Sequence, residues 1–180
     1  MPIDACVGTK AWTESGWIEV DSATAGFGDG ACRKALGSPV LDLRLHRMDP
    51  DAKVMDFTRY GVPLIAFSTM GDGTFPVELA HDRAGRLLAA RICLTTDVDE
   101  LAGSWQPVGA VPITSGTCIA ADPFIARDLY QRCFECPTGL FPVEVYEWRD
   151  PEDGIVDWLG IRICFERWSA EGGWADPDGS

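Results

Sequence analysis

Apolar and polar residues alternate with a period of two in several stretches of the chain, which is typical of half-buried β-strands. From Phe75 to Ala80, in FPVELA, every second residue is a larger apolar one, and the alternation resumes after the polar turn HDRAG through Leu94. The stretch from Phe141 to Phe165 has the same pattern around the turn RDPEDG. We therefore predict two β-hairpins, each with one buried face.

The two predicted hairpins share sequence as well as pattern. The tetrapeptide FPVE occurs at 75–78 and again at 141–144, an offset of 141 − 75 = 66 residues, and the return strands ARICL and IRICF also match. One hairpin buries too little apolar surface to be stable alone in water, whereas two halves packed together share a core. We interpret the repeat as a consequence of how the fold is stabilised. A repeated active site is not needed to explain it.

Each predicted hairpin carries one glutamate and one arginine at matching strand positions. We expect Glu78 to lie across from Arg91, and Glu144 across from Arg162, as opposite-charge pairs on the outer face that contribute about 0.2–1 kcal/mol each. The alternative is that the hairpins lie side by side and bring the two glutamates together as an acid/base pair in a cleft. We favour the first interpretation.

The segments before the hairpins predict short helices and further strands. A strand should end near Ala121, followed by a helix of about three turns with Asp122 as N-cap and Pro123 in its first turn. Asp29 is expected to cap a second short helix through Leu36. The alternation in VLDLRLHRM predicts a half-exposed strand, and the apolar run GVPLIAFST predicts a buried strand.

These elements together predict an α+β fold, mostly antiparallel β, in which two related half-units with short helices pack into one compact domain. The first half-unit should span residues 1–104 and the second 105–170, joined near LAGSWQPVGAVP. Residues 171–180, rich in Gly and Asp, are expected to form a mobile tail. A chain of 180 residues with 46% hydrophobic residues is long enough to bury such a core.

The chain is strongly acidic. Lys and Arg total 15 against 28 Asp and Glu, which gives a formal net charge of −13. A surface of this charge repels phosphate backbones and anionic lipid headgroups, so we expect neither nucleic-acid binding nor membrane binding. The N-terminus lacks the basic and apolar regions of a signal peptide, no apolar run approaches ~20 residues, and the seven cysteines are scattered and odd in number. We therefore expect a cytoplasmic protein with reduced thiols.

Two sets of segments resemble a known bacterial family. The run GWIEVDSATAGFGDGACRKAL and the later PLIAFSTMGDGTFPVELAHDRAGRLL resemble the second half of the domain-of-unknown-function family four-two-four-one. The segments SGTCIAADPFIA, CPTGLFPVEVYEW and DWLGIRICF resemble that family's first half, so the order of the halves is reversed here. The resemblance implies a soluble bacterial protein without an established activity. Its matched polar positions are Asp21, Thr24, Asp29, Asp72 and Asp122.

Each matched acid also has a structural interpretation, because Asp caps helices and occupies tight turns for conformational reasons. A cluster of these acids could instead bind a cationic substrate or a hard cation, but no calcium-binding loop occurs and we predict no metal and no cofactor. Cys133 and Cys136 form a single C-x-x-C, which is half of a zinc or redox site, and the second half is absent. Neither His46 nor His81 has an evident partner for nucleophilic catalysis.

Tryptophan is more abundant than a small core requires. The seven tryptophans are Trp12, Trp17, Trp105, Trp148, Trp158, Trp168 and Trp174. Exposed aromatic residues on an acidic surface are typical of a protein-binding face, and we include Trp148 and Trp158 among the candidate binding residues. The alternative for these two is a stack across the second hairpin.

Two functions from different classes remain. The first is an acidic interaction module that docks on a basic protein partner, as an immunity protein does. The second is a small-molecule enzyme or ligand-binding protein with a carboxylate-lined cleft between the two halves. We favour the first, because the sequence does not offer a nucleophile, a base and an orienting group together; catalytic residues stay unassigned.

Overall fold

The computed structural model describes residues 12–45 and 53–165, and these ranges contain eleven β-strands. The strands are β1 (Thr13–Val20), β2 (Thr24–Asp29), β3 (Val54–Asp56), β4 (Leu64–Ser68), β5 (Gly73–His81), β6 (Leu87–Cys93), β7 (Ser104–Ile113), β8 (Thr117–Ala121), β9 (Gln131–Glu135), β10 (Gly139–Arg149) and β11 (Val156–Cys164). One α-helix, α1 (Pro39–Leu45), and four 3-10 turns at Gly30–Ala35, Phe57–Tyr60, Val98–Glu100 and Asp128–Tyr130 complete the described fold.

The strands form two antiparallel sheets that pack face to face. The six-stranded sheet has the order β1-β5-β6-β11-β10-β7, and the five-stranded sheet has the order β3-β4-β2-β8-β9. Alternate residues of both sheets point into a common core, where Ile18, Val77 and Ile161 of the first sheet meet Phe27 and Ile65 of the second. The prediction of a mostly antiparallel β fold is confirmed.

Both predicted hairpins form, and they lie side by side. Strand β5 pairs with β6 and β10 pairs with β11, and β6 in turn pairs with β11 at the centre of the six-stranded sheet. The buried strand predicted in GVPLIAFST is β4, and the strand predicted to end near Ala121 is β8. Residues of the predicted junction between the half-units form β7.

Two element predictions are wrong. The predicted helix after Asp122 is a loop with a short 3-10 turn, and β9 takes its last residues, because Phe134 pairs across the sheet with Cys118 and packs against the inter-sheet core. The predicted strand in VLDLRLHRM begins instead as helix α1 at Pro39, a residue that needs no N–H partner in a first helical turn. Leu41 of this helix packs against the outer face of the five-stranded sheet and is fully buried there.

The helix predicted after Asp29 is present as a 3-10 turn that ends one residue earlier than predicted. The Asp29 carboxylate accepts a hydrogen bond from the Ala31 N–H (2.9 Å), and the turn ends at Ala35 with Leu36 as its C-cap, before Gly37, whose φ of +68° favours glycine. The predicted mobile tail, residues 171–180, lies outside the described residues, as do His46, Trp168 and Trp174.

Candidate functional site

Four of the five matched polar positions meet at the turn between β1 and β2. The Asp122 Oδ2 atom accepts hydrogen bonds from the Asp21 and Ser22 N–H groups, both at 2.9 Å, and Oδ1 accepts from the Ser22 hydroxyl at 2.6 Å. The Asp72 carboxylate accepts from the Ala23 N–H at 3.2 Å, and the Thr24 hydroxyl donates to the Ser22 carbonyl. These side chains hold the turn in place, and Asp21 takes part through its backbone.

The fifth position, Asp29, lies at the turn between β7 and β8. Its Oδ2 atom accepts from the Thr114 N–H (2.6 Å), the Thr114 hydroxyl (2.8 Å) and the Ser115 N–H (3.3 Å). Its Oδ1 atom accepts from the Ser115 hydroxyl as well as from the Ala31 N–H. We call this arrangement and the equivalent one at Asp122 the two aspartate clasps, since each carboxylate holds a turn about 90 or more residues away in the chain.

Both clasp carboxylates are buried, at 1% exposure for Asp29 and 0% for Asp122. Burial alone would raise the pKa of Asp29, but the hydrogen bonds from Ser115, Ala31 and Thr114 more than compensate and hold that pKa well below its ordinary value. Asp29 therefore stays ionised at neutral pH and acts as a fixed acceptor. A carboxylate with this many donors is suited to closing a turn and is a poor general base.

The glutamates of the two hairpins do not form an acid/base pair. Arg91 pairs directly with Arg162 between β6 and β11, so the row across the outer face reads Glu78, Arg91, Arg162, Glu144. Both predicted ion pairs form, with Nε–Oε2 distances of 2.9 Å for Arg91–Glu78 and 2.6 Å for Arg162–Glu144. The two arginines separate the two glutamates.

These ion pairs differ from the expected exposed pairs because they are covered. Arg91, Arg162 and Glu144 are each at most 5% exposed. The guanidinium of Arg91 lies 4.2 Å from the ring centroid of Trp12, and that of Arg162 lies 4.2 Å from the ring of Trp105. The sequence interpretation missed both tryptophans, although their separation of 105 − 12 = 93 residues equals that of the two clasp aspartates, 122 − 29.

Trp148 and Trp158, the two aromatic candidates, lie on opposite faces of the second hairpin. Trp148 pairs with Asp157 and packs in an outer cluster with Tyr146 and Val98, whereas Trp158 packs against the core between the sheets. Because the pairing register shifts after Tyr146, Trp148 lies opposite Asp157 and not opposite Trp158. The stack between them that was the alternative prediction does not form.

Eight acidic residues lie in the β10–β11 turn, near the strand ends that flank it, or in the neighbouring segment 94–104. The two segments are joined by hydrogen bonds from the Leu94 N–H to the Leu159 carbonyl (2.9 Å) and from the Tyr146 hydroxyl to the Leu101 carbonyl (2.6 Å). The acids are Asp97, Asp99, Glu100, Glu147, Asp150, Glu152, Asp153 and Asp157. We call them the hairpin-end acidic surface.

Few cations offset this surface. Arg91 bonds Asp99 at 2.8 Å, Arg149 donates to the Gly154 carbonyl at 2.9 Å, and Lys53 donates to the Val156 carbonyl at 2.8 Å. The formal charge of the acids with these three residues is 3 − 8 = −5. Ile155, in the turn itself, is 58% exposed. The arrangement combines negative charge with an exposed apolar side chain.

Four of the described cysteines are thiols of low reactivity. Burial raises the pKa of Cys32, Cys93 and Cys136 to about 12 and that of Cys118 well above its ordinary value, so they remain protonated at neutral pH. Cys133, on β9, is exposed. Across residues 12–45 and 53–165, no three His, Cys, Asp or Glu side chains are grouped so as to hold a metal ion.

A cleft of about 240 Å³ opens beside the clasp of Asp29. It is lined by Asp29, Thr58, Gly61, Val62, Pro63, Pro112 and Thr114. Of the matched acids it contains Asp29 alone, since the other four polar positions lie at the β1–β2 turn. Its walls are mostly apolar, with one hydroxyl from the 3-10 turn at Phe57–Tyr60.

In the part of the chain that the structure describes, no helix has the length and apolar character needed to cross a bilayer. Comparison with protein-family models, with curated proteins and with solved structures finds no match for this chain.

Proposed function

We propose that this protein is an acidic interaction module that docks on a basic protein partner through the hairpin-end acidic surface. The observation that carries the proposal is the concentration of charge: this one surface holds 8 of the chain's 28 acidic residues with a formal charge of −5. Clustered charge of one sign steers an oppositely charged protein and raises its association rate. The six cysteines that the structure describes are free, which supports a cytoplasmic setting for this encounter.

Apolar contacts next to the charge support docking as well. Ile155 is exposed in the middle of the acidic turn, and Trp148 is half-buried beside it on β10. A partly exposed aromatic residue within a charged rim is the usual composition of an interface hot spot. Trp158, the other aromatic candidate, packs against the inter-sheet core and is not part of this surface.

The test is native mass spectrometry of the protein purified gently from its own host, in wild-type form and as two charge-matched triple variants. The surface variant is Glu100→Lys/Glu152→Lys/Asp157→Lys. In the described structure the three wild-type carboxylates accept no hydrogen bond, so their replacement should not disturb the fold. The control variant carries Lys at three exposed acids elsewhere, namely Asp21, Asp42 and Glu135. Both raise the net charge by six.

We expect a stoichiometric basic protein on the wild type and on the control, and its loss from the surface variant. If the surface variant still binds the basic protein, that protein binds at a different surface. If neither variant binds it, the total charge of the chain governs binding. A co-purifying small molecule without a protein would direct attention to the cleft beside Asp29. This cleft carries the second candidate function, the binding of a small molecule, because its mostly apolar walls include a few polar groups, from Asp29, Thr58 and Thr114.

We also propose that the chain consists of two related half-units, with boundaries at 1–104 and 105–170, and that it is a permuted relative of the bacterial family four-two-four-one. Support comes from elements 93 residues apart. Trp12 and Trp105 each cover an arginine, and Asp29 and Asp122 each clasp the turn of the other half. The clasped residues, Ser22 and Ser115, have the same separation.

A turn exchange tests the half-unit proposal. The substitution Thr114→Asp changes the second turn, TSG at 114–116, to DSG. The second turn then begins with the same two residue types as the first turn, Asp21 and Ser22. Both clasps use a serine hydroxyl and two backbone N–H groups, and the exchange removes only the hydrogen bond from the Thr114 hydroxyl to Asp29, so we expect the melting temperature to fall by only a few degrees. Loss of folding would argue against equivalence of the two turns.

A further inference from the structure

The five-stranded sheet ends at β3 on one side and at β9 on the other. At the first edge β3 lies outside β4, whereas at the second edge β9 pairs only with β8 among the described strands. An open strand edge presents backbone N–H and C=O groups that can pair with another extended chain.

Strands β4 and β9 occupy equivalent places in the sandwich. A Cβ atom built on Gly109 of β7 would lie 2.7 Å from Ile65 Cδ1 of β4, and one built on Gly16 of β1 would lie 2.6 Å from Arg132 Cζ of β9. The side chains of Ile65 and Arg132 thus each fill the space beside a glycine in an edge strand of the six-stranded sheet. By this correspondence, β3 marks the position at which a strand beside β9 would lie.

Strand β3 indicates what such an added strand should contain. Its Met55 lies opposite Ala66 and packs in the cluster on the outer face of the sheet, and its Asp56 lies opposite Ile65. The equivalents of Ala66 and Ile65 on β9 are Cys133 and Arg132, both exposed. A matching strand would place an apolar residue over Cys133 and an acid opposite Arg132.

The surroundings of β9 are not acidic, unlike the chain as a whole, so they do not repel an acidic segment. The charged residues on β9 or on elements near it are four bases, Arg33, Lys34, Arg127 and Arg132, and four acids, Glu19, Asp21, Asp128 and Glu135. The sum is 4 − 4 = 0 on a chain of net charge −13. Within residues 12–45 and 53–165 the Arg132 guanidinium forms no ion pair, whereas Arg33 bonds Asp128 at 3.1 Å.

We propose that the β9 edge binds an acidic, extended segment of a partner protein as an added antiparallel strand, with an apolar residue over Cys133 and a carboxylate on Arg132. This site is separate from the hairpin-end acidic surface. It rests on the proposed correspondence of the half-units and not on the docking of a basic protein.

The test uses fluorescence anisotropy with a labelled peptide, EEVMDF, that carries the three residues of β3 behind two acids. Two control peptides are EEVPDF, in which proline removes a ladder N–H, and KKVMKF, in which the charge is reversed. The chain is used as wild type, as Arg132→Glu, and as Arg83→Glu, a matched control at an exposed arginine of the β5–β6 turn.

We expect EEVMDF to bind the wild type and Arg83→Glu alike, and to bind Arg132→Glu at least about tenfold more weakly, because a charge-assisted contact becomes a repulsion. Both control peptides should also bind at least about tenfold more weakly. Bound EEVMDF should slow the alkylation of Cys133, which lies under the added strand.

Absence of binding at about 1 mM peptide would overturn the proposal, as would equal binding of the proline peptide. Concentration-dependent dimers that EEVMDF dissociates would also overturn it, because a second copy would then occupy β9. None of these results depends on whether a basic protein binds at the hairpin-end acidic surface.

Discussion

Replacing Asp29 by Asn tests whether the aspartate clasps stabilise the fold through their charge. The substitution preserves the size and shape of the side chain, but it removes the negative charge and turns one of the two accepting oxygens into an NH₂ donor. The wild-type carboxylate accepts from five donors: the N–H groups of Ala31, Thr114 and Ser115 and the hydroxyls of Thr114 and Ser115.

The expected loss follows from the hydrogen bonds that change character. Bonds to a charged acceptor contribute about 1.5–3 kcal/mol and neutral ones about 0.5–1.5 kcal/mol. The two hydroxyls can rotate to accept from the new NH₂ group, whereas the backbone N–H groups that faced Oδ2 cannot. We therefore expect Asp29→Asn to lower the free energy of unfolding by about 2–4 kcal/mol, a large part of a typical total of about 5–15 kcal/mol.

The effect should depend on pH in a defined direction. The folded state holds the pKa of Asp29 well below its ordinary value of 3.8. The stabilisation is therefore fully present above about pH 4–5 and is lost as the pH falls towards the folded-state pKa, because the unfolded chain takes up a proton first. The difference between wild type and Asp29→Asn should be constant from pH 7 to about 5 and should shrink below about 4.

Urea unfolding followed by tryptophan fluorescence at pH 7, 5 and 3 measures this difference. Asp21→Asn is the control, because Asp21 is exposed and joins its clasp through the backbone alone. It should change the free energy of unfolding by less than about 0.5 kcal/mol. A wild-type-like Asp29→Asn at pH 7 would refute the clasp argument, and a difference that grows on acidification would refute its electrostatic cause.

Three further predictions concern other parts of the fold. Glu144→Gln should cost about 3–5 kcal/mol because it removes the buried carboxylate that the Arg162 Nε atom contacts at 2.6 Å, and a double-mutant cycle with Arg162→Met should recover much of that loss in urea unfolding; additive losses would contradict a coupled pair. Ala23 has a φ of +54° and the equivalent Gly116 a φ of +77°, so Ala23→Gly should raise the free energy of unfolding in urea and Gly116→Ala should lower it, each by about 1 kcal/mol; opposite signs would show that strain is not the cause. Among the described cysteines Cys133 should react first with iodoacetamide at pH 7, as read by peptide mass mapping, and earlier labelling of a buried thiol would point to local opening.

The hairpins could be predicted from the sequence because a period of two over many residues indicates a strand with one buried face. The pairs Glu78–Arg91 and Glu144–Arg162 were predicted from matching strand positions in the two hairpins, and both pairs form. The sequence could not show that these pairs are buried. That depends on Trp12, which precedes β1, and on the segment after β6 lying over the sheet.

The wrong element predictions have a common cause in tertiary packing. Phe124, Tyr130 and Phe134 recur at helical spacing, but Phe134 pairs in a sheet and Phe124 packs edge-on against Phe57, 6.2 Å away. Pairing with β8 therefore outweighed a local helical preference. The candidate acids were predicted as one set, whereas the fold divides them between two turns that the sequence separates by about 90 residues.

The aspartate clasps also bear on how the chain emerges during synthesis. Ser22 is made early, but the carboxylate that closes its turn, Asp122, is made 100 residues later. At about 5–20 residues per second the ribosome leaves that turn open for about 5–20 seconds, and β2 waits as long for its neighbour β8. Exposed strand edges in this interval are sites for chaperone binding or aggregation, so slower elongation between the two halves should lower the yield of folded protein.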